Sequence, residues 1–170
     1  MKNIYLVGFM ATGKTSVGKL LAKRLKRDFV DMDALIESRE KMSIADIFKT
    51  KGEPYFRQVE ESLVRELAAK SRLVVSCGGG VFVPEQNIER LKQSGLVFCL
   101  TSSPERILKR TAGQKAVRPM LNASDPLGRI RDLLAQRQPF YAKAHHAIDA
   151  DDLTVRQTAD AIMEYLKNHE

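Results

Sequence analysis

The sequence predicts an α/β fold in which helices cover both faces of a five-stranded, predominantly parallel sheet. Three observations carry that prediction. Short unbroken apolar runs alternate from end to end with longer stretches whose apolar residues recur every three or four positions. The first run, Ile4 to Val7, leads directly into Gly8-Phe9-Met10-Ala11-Thr12-Gly13-Lys14-Thr15, a G-x-x-x-x-G-K-T string set between a strand and a helix. The 170 residues, 44% of them hydrophobic, suffice for one domain with a real core and would be cramped as two, so residues 1–170 form a single domain.

The loop after the first strand has the chemistry of a phosphate cradle. Its glycines let the backbone curl so that several N–H groups face one point, and the positive end of the next helix adds to their effect. Gly8, Met10, Ala11, Thr12, Gly13 and Ser16 are candidate nucleotide contacts. Lys14 reaches the outer phosphates, and the Thr15 hydroxyl is a ligand for the Mg2+ that accompanies them. The following helix carries Val17, Leu20, Leu21 and Leu25 on one side and basic residues on the other. Asp28 to Asp33 then reads as a short strand ending in two carboxylates. In an open parallel sheet that end shares the ligand edge with the loop, and a continued strand would aim both carboxylates the same way. Asp31 is assigned to the magnesium shell, through water, and Asp33 to a hydroxyl of the phosphate acceptor. The bland alternative is an acidic turn capping the next helix.

A short helix spans 34–40, and the capping box Ser43-Ile44-Ala45-Asp46 starts another through Ile47 and Phe48. Gly52-Glu53-Pro54 breaks it, after which Phe56, Val59, Leu63 and Leu67 mark a longer helix with Arg57 near its start. By spacing alone Arg57 is a surface residue that Glu60 or Glu61 could pair. The strand Leu73 to Ser76 is followed by Cys77-Gly78-Gly79-Gly80. Three consecutive glycines cost backbone entropy that a simple turn does not require. They predict a close approach of backbone to ligand, with tight passage over a neighbouring helix as the alternative. Pro84 opens a helix carrying Ile88 and Leu91 that Gly95 ends, and Leu96 to Leu100 is the next strand. Ser103-Pro104 starts a helix to about Arg110. From about 111 to 126 the periodicity disappears, which predicts a mobile lid that excludes water and brings Arg118 over a transferring phosphoryl. The helix from Pro126 ends near Arg137-Gln138-Pro139, a last strand covers about His146 to Ile148, and the capping box Thr154-Val155-Arg156-Gln157 opens the terminal helix.

The formal charge of +7, from 28 basic and 21 acidic residues, raises the question of a nucleic-acid partner. Between Ser103 and His145, nine Lys and Arg stand against three Asp and Glu, so the surplus gathers around the predicted lid. With no long basic face and no aromatic stacking positions, no nucleic-acid partner is expected. No apolar run approaches membrane-spanning length, and the N-terminus leaves no room for a signal peptide, so no membrane partner and a cytoplasmic location are expected. Cys77 and Cys99 have no metal-ligand spacing and read as buried thiols in a reducing compartment. The absence of an N-K-x-D segment argues against a signalling GTPase. The lack of a strand ending in Asp-Glu, and the short chain, argue against a motor. A small-metabolite kinase remains, using Lys14 and arginines on the phosphates and a closed polar pocket for the acceptor.

The loop, Asp31-Met32-Asp33, Phe56-Arg57-Gln58-Val59-Glu60, Gly78-Gly79-Gly80, Arg118-Pro119-Met120-Leu121 and Arg137-Gln138-Pro139-Phe140-Tyr141, taken in that order, resemble the shikimate kinase family across essentially the whole chain. The resemblance implies a P-loop nucleoside-monophosphate-kinase-like fold with strand order 2-3-1-4-5 and a mobile lid. It implies a substrate-binding region at about 32–60 and transfer of the γ-phosphoryl of ATP to the 3-hydroxyl of shikimate, in aromatic amino acid (chorismate) biosynthesis. It further implies that Asp33 binds ring hydroxyls and helps draw off the acceptor proton, and that Arg57 and Arg137 hold the substrate carboxylate. Gly78, Gly79 and Gly80 would line the same pocket, Arg118 would contact both phosphoryl and substrate, and Arg110 would flank the adenine. Lys14, Asp33 and Arg118 are thus the expected catalytic residues. Two departures stand out: Ala11 occupies a position where the family commonly has glycine, and the frequent Tyr-x-Glu-x-Ala pattern becomes Tyr141-Ala142-Lys143-Ala144-His145, with its charge reversed at Lys143. The competing readings are a kinase of another small acceptor, such as gluconate or a nucleoside, and a non-enzymatic nucleotide-dependent switch. Paired arginines favour an acidic acceptor. A monomer is expected.

Overall fold

In the computed structural model, which describes residues 2–112 and 124–169, the strands are β1 (Asn3–Val7), β2 (Asp28–Asp31), β3 (Leu73–Ser76), β4 (Gly95–Thr101) and β5 (His146–Asp149). They form one sheet in the order β2-β3-β1-β4-β5, and every neighbouring pair is parallel. The order 2-3-1-4-5 is therefore as expected. Central β1 and β3 are buried along their whole length, in keeping with their continuous apolar character.

The helices are α1 (Lys14–Leu25), α2 (Met32–Glu40), α3 (Ile44–Lys51), α4 (Glu53–Ala68), α5 (Glu85–Ser94), α6 (Pro104–Thr111), α7 (Pro126–Tyr141) and α8 (Val155–His169). Successive strand residues serve opposite faces. Ile4 and Leu6 pack with Val17 and Leu21 of α1 and Ile162 and Leu166 of α8, while Tyr5 and Val7 pack with residues of α2 to α7. Buried Asn3 secures the lower end of the sheet: its amide donates to Leu67 O and Lys70 O at 3.1 and 2.9 Å and accepts from Leu73 N at 3.0 Å.

The local signals mostly hold. Ser43 caps α3 by accepting from Asp46 N at 3.1 Å, and Thr154 and Gln157 form the reciprocal box that opens α8. Gly52, at φ 84°, separates α3 from α4. Three boundaries differ from expectation. β2 stops at Asp31 instead of running to Asp33, because the Asp31 carboxylate accepts from Ala34 N at 3.1 Å and so caps α2. Asp33 accordingly lies in a helical first turn, not along a strand. Pro84 is the residue before α5 rather than its first residue, and Gly95 closes that helix in an extended conformation because it also begins β4. α7 continues through Pro139 to Tyr141, and Ala142 N bonds to Gln138 O at 2.9 Å just beyond the proline. Of the expected lid at about 111–126, residues 113–123 lie outside the described residues.

Candidate active site

The loop between β1 and α1, the ends of β2 and β3, helices α2 to α4 and the last turns of α7 surround a cavity of about 650 Å³ at the C-terminal edge of the sheet. Gly8, Ala11 and Gly13 all have positive φ, at 133°, 59° and 93°. At Gly8 no other residue could be accommodated, since a Cβ would stand 2.2 Å from Leu100 O. Ala11 adopts the left-handed conformation that glycine takes without penalty, and Arg110 donates to its carbonyl at 3.0 Å. Lys14, buried, donates through Nζ to Phe9 O at 2.7 Å and Gly8 O at 3.0 Å, so its charge is folded over its own loop. Met10, Ala11, Gly13, Lys14, Thr15 and Ser16 line the cavity. Thr12 points inward and donates to Phe9 O at 2.9 Å, which makes its side chain a brace of the loop.

Next to the loop, Thr15 Oγ1 donates to Asp31 Oδ2 at 2.6 Å. Ser76, paired with Asp31 in the β2–β3 register, places its Oγ 3.4 Å from the Thr15 hydroxyl. Ser76 was missed by the sequence reading, although a hydroxyl closing a buried strand before three glycines is a legible signal. Two hydroxyls and a carboxylate are hard oxygen donors, and they suit a small divalent ion that keeps most of its water and rests largely on phosphates. The residues present therefore fit Mg2+.

In the loop after β3 each of the three glycines makes room for a polar side chain. A Cβ on Gly78 would lie 2.7 Å from Asp33 Oδ1 and 3.1 Å from Glu60 Oε1. On Gly79 it would lie 3.1 Å from Arg137 NH1, and on Gly80 it would lie 2.4 Å from Arg57 NH1. The backbone is bare so that Asp33 from α2, Arg57 and Glu60 from α4 and Arg137 from α7 can converge on it. Close approach was expected. Side chains of neighbouring helices make the approach, which is the alternative that the three glycines left open.

Arg57 is fixed by two carboxylates. It donates through NH2 and Nε to Glu53 Oε1 at 3.1 and 3.3 Å, and through NH1 to Glu60 Oε2. Glu60 is only 2% exposed. Burial pushes its carboxyl up to about 7, against the opposing pull of Arg57 and Arg137 and with a further push from Asp33. The sequence reading treated Glu60 as a surface partner of Arg57. The signal it passed over is position: Glu60 stands between Phe56 and Leu63 on the apolar stripe of α4, where a carboxylate needs a reason. Ile44, Phe48 and Phe56, read from sequence only as helix residues, form an apolar wall of the same cavity. Cys77 also borders it, but burial raises its thiol far above the ordinary range, and Cys99 is pushed up to about 11 for the same reason. Arg118 lies outside the described residues.

Comparison with known proteins agrees with this geometry. The family model for shikimate kinase matches residues 10–167. In sequence the chain is similar to the shikimate kinase of Thermodesulfovibrio yellowstonii, at 46% identity over 163 residues covering 96% of this chain and 94% of the relative. It is also similar to that of Pelotomaculum thermopropionicum, at 43% identity over 169 residues covering 99% and 98%. In three dimensions it is similar to a shikimate kinase from Acinetobacter baumannii in complex with shikimate, with a TM-score of 0.95 and 38% identity over 100% of this chain and 95% of that one. The two-sided site is thus set in a P-loop nucleoside-monophosphate-kinase-like fold whose relatives match it from end to end, and the chain belongs to the shikimate kinase family.

Proposed function

We propose that this protein transfers the γ-phosphoryl of ATP to the 3-hydroxyl of shikimate, giving shikimate 3-phosphate and ADP. One observation carries the reading beyond family membership: two guanidinium groups, Arg57 and Arg137, and the Asp33 carboxylate meet at one glycine loop, in the cavity that Lys14 also lines. The guanidinium forks suit a carboxylate, and Asp33 suits a hydroxyl on the same small ring. In the reaction, the acceptor oxygen forms a bond to the γ-phosphorus, the bond from that phosphorus to the β,γ-bridging oxygen breaks, and the hydroxyl proton passes to Asp33. Lys14 leaves its loop carbonyls for the outer phosphates, and Arg118 serves the transferring group from the lid. Gly8, Met10, Ala11, Thr12, Gly13, Thr15 and Ser16 form the nucleotide cradle, and Arg110 flanks the base. Thr15, and Asp31 through water, would hold Mg2+, which when bound supplies charge neutralisation on the outer phosphates.

The test is a steady-state assay of purified protein with ATP and Mg2+. ADP formation should depend on shikimate, fall to background on chelation with EDTA, and be absent with gluconate. ADP release with gluconate and none with shikimate would move the protein to another acceptor class. The proposal includes a cytoplasmic, monomeric enzyme in the route to chorismate; among the described residues no helix is long and apolar enough to cross a membrane.

A further inference from the structure

The two guanidinium groups at the glycine loop are held in different ways. Arg57 is ion-paired to Glu53 and Glu60, whereas among the described residues Arg137 makes no ion pair. The groups that touch Arg137 are neutral, and the Glu60 carboxyl acts on it only through space. Its Cζ lies 5.3 Å from the centroid of the Phe9 ring, and its NH1 packs against the bare backbone of Gly79. One helical turn further along α7, buried Tyr141 donates its hydroxyl to Gly79 O at 2.7 Å. Burial pushes the Tyr141 phenol up to about 12, with Arg137 opposing as charge and hydrogen-bond partner, so the hydroxyl stays protonated and able to donate.

We infer that Tyr141 and Phe9 are positioning residues of the acceptor site: the Tyr141 hydroxyl fixes the Gly79 carbonyl, and that backbone and the Phe9 face together set where the Arg137 guanidinium stands. A carboxylate in their place would hold Arg137 equally well but neutralise it. A phenol, a glycine backbone and a π face fix its position without placing a carboxylate against it, so its N–H groups stay available to an anionic ligand. Phe9 also belongs to the phosphate loop, so the acceptor arginine rests on the same segment that carries the nucleotide.

The inference rests on the proposed role of Arg137 at the acceptor carboxylate, and the test separates the two. Tyr141→Phe removes one oxygen and keeps the ring; Phe9→Leu keeps an apolar side chain and removes the π face. Each is compared with Arg137→Ala and combined with it, with shikimate binding read by titration calorimetry and KM and kcat by steady-state assay. Losing one buried hydrogen bond in Tyr141→Phe, or the cation–π contact in Phe9→Leu, should raise the shikimate KM and dissociation constant by about fivefold, and in Tyr141→Phe kcat and the ATP KM should stay within about twofold of wild type. In the Arg137→Ala background neither change should add anything. A wild-type shikimate KM in both single variants, or an equal rise with and without Arg137, would overturn the inference and leave the role of Arg137 standing. Unchanged shikimate binding in Arg137→Ala itself would overturn that role.

Discussion

Ala11 adopts a φ of 59° in a loop where the family commonly places glycine. A left-handed alanine costs about 1–2 kcal/mol, and glycine returns about 0.4–1 kcal/mol of this through its freer unfolded chain. Ala11→Gly should therefore stabilise the ligand-free enzyme by roughly 0.5–1 kcal/mol, a rise of about 1–4 °C in the thermal midpoint for a chain of this size. A lower midpoint would show that the Arg110 bond to the Ala11 carbonyl had already absorbed the strain. Glu60 makes a second residue-scale prediction. Its folded carboxyl titrates at about 7 against an ordinary value of 4.5. Because the folded value is raised, the associated stability is full below about 4.5 and is lost as the pH rises through about 7. Glu60→Gln removes that ionisation, so its stability should gain on wild type between pH 5 and pH 8 by on the order of 1–3 kcal/mol, read from denaturant unfolding at each pH. A difference independent of pH would mean that Glu60 stays ionised throughout, held by Arg57.

The glycine loop between β3 and α5 shows how an element is defined by what packs on it. None of its three glycines has positive φ, so conformation alone does not demand them. Gly80→Ala would put a methyl 2.4 Å from Arg57 NH1, the far end of a flexible side chain, so the fold survives while the guanidinium is displaced. The expected outcome is a shikimate KM raised by about tenfold or more, since charge-assisted hydrogen bonds are lost, with the ATP KM little changed. Equal losses for both substrates would show that the loop had moved as a whole. The charge reversal after α7 is also resolved at this scale. Lys143 pairs with Glu85 of α5, and its carbonyl accepts from Lys92 Nζ at 2.8 Å, so the reversed charge has its own partner on a neighbouring helix.

Across the whole molecule, legibility in the sequence follows the distance between partners. The phosphate loop, the capping boxes at Ser43 and Thr154 and the alternation that builds the sheet are each encoded within a few residues, and all three were readable. Glu60 on an apolar stripe and Ser76 before three glycines carried local signals whose meaning needed the assembled site, while Phe9 and Tyr141 gain theirs only when the loop and α7 meet, and spacing along the chain carries no signal for that. The same assembly from distant segments has a thermodynamic consequence. A ligand that requires all of these elements in place binds the folded chain alone, and at a hundred times its dissociation constant it stabilises by about 2.7 kcal/mol. For a chain of this size that is a rise of roughly 5–10 °C in melting temperature. Shikimate and the magnesium complex of ADP should each produce such a rise in wild type. In Arg57→Ala the shikimate shift should shrink while the nucleotide shift is retained, because Arg57 packs on Gly80 and pairs with Glu53 and Glu60 of its own helix. Loss of both shifts together would show that the two halves form one cooperative unit, with Arg57 supporting the cavity as a whole instead of gripping one ligand.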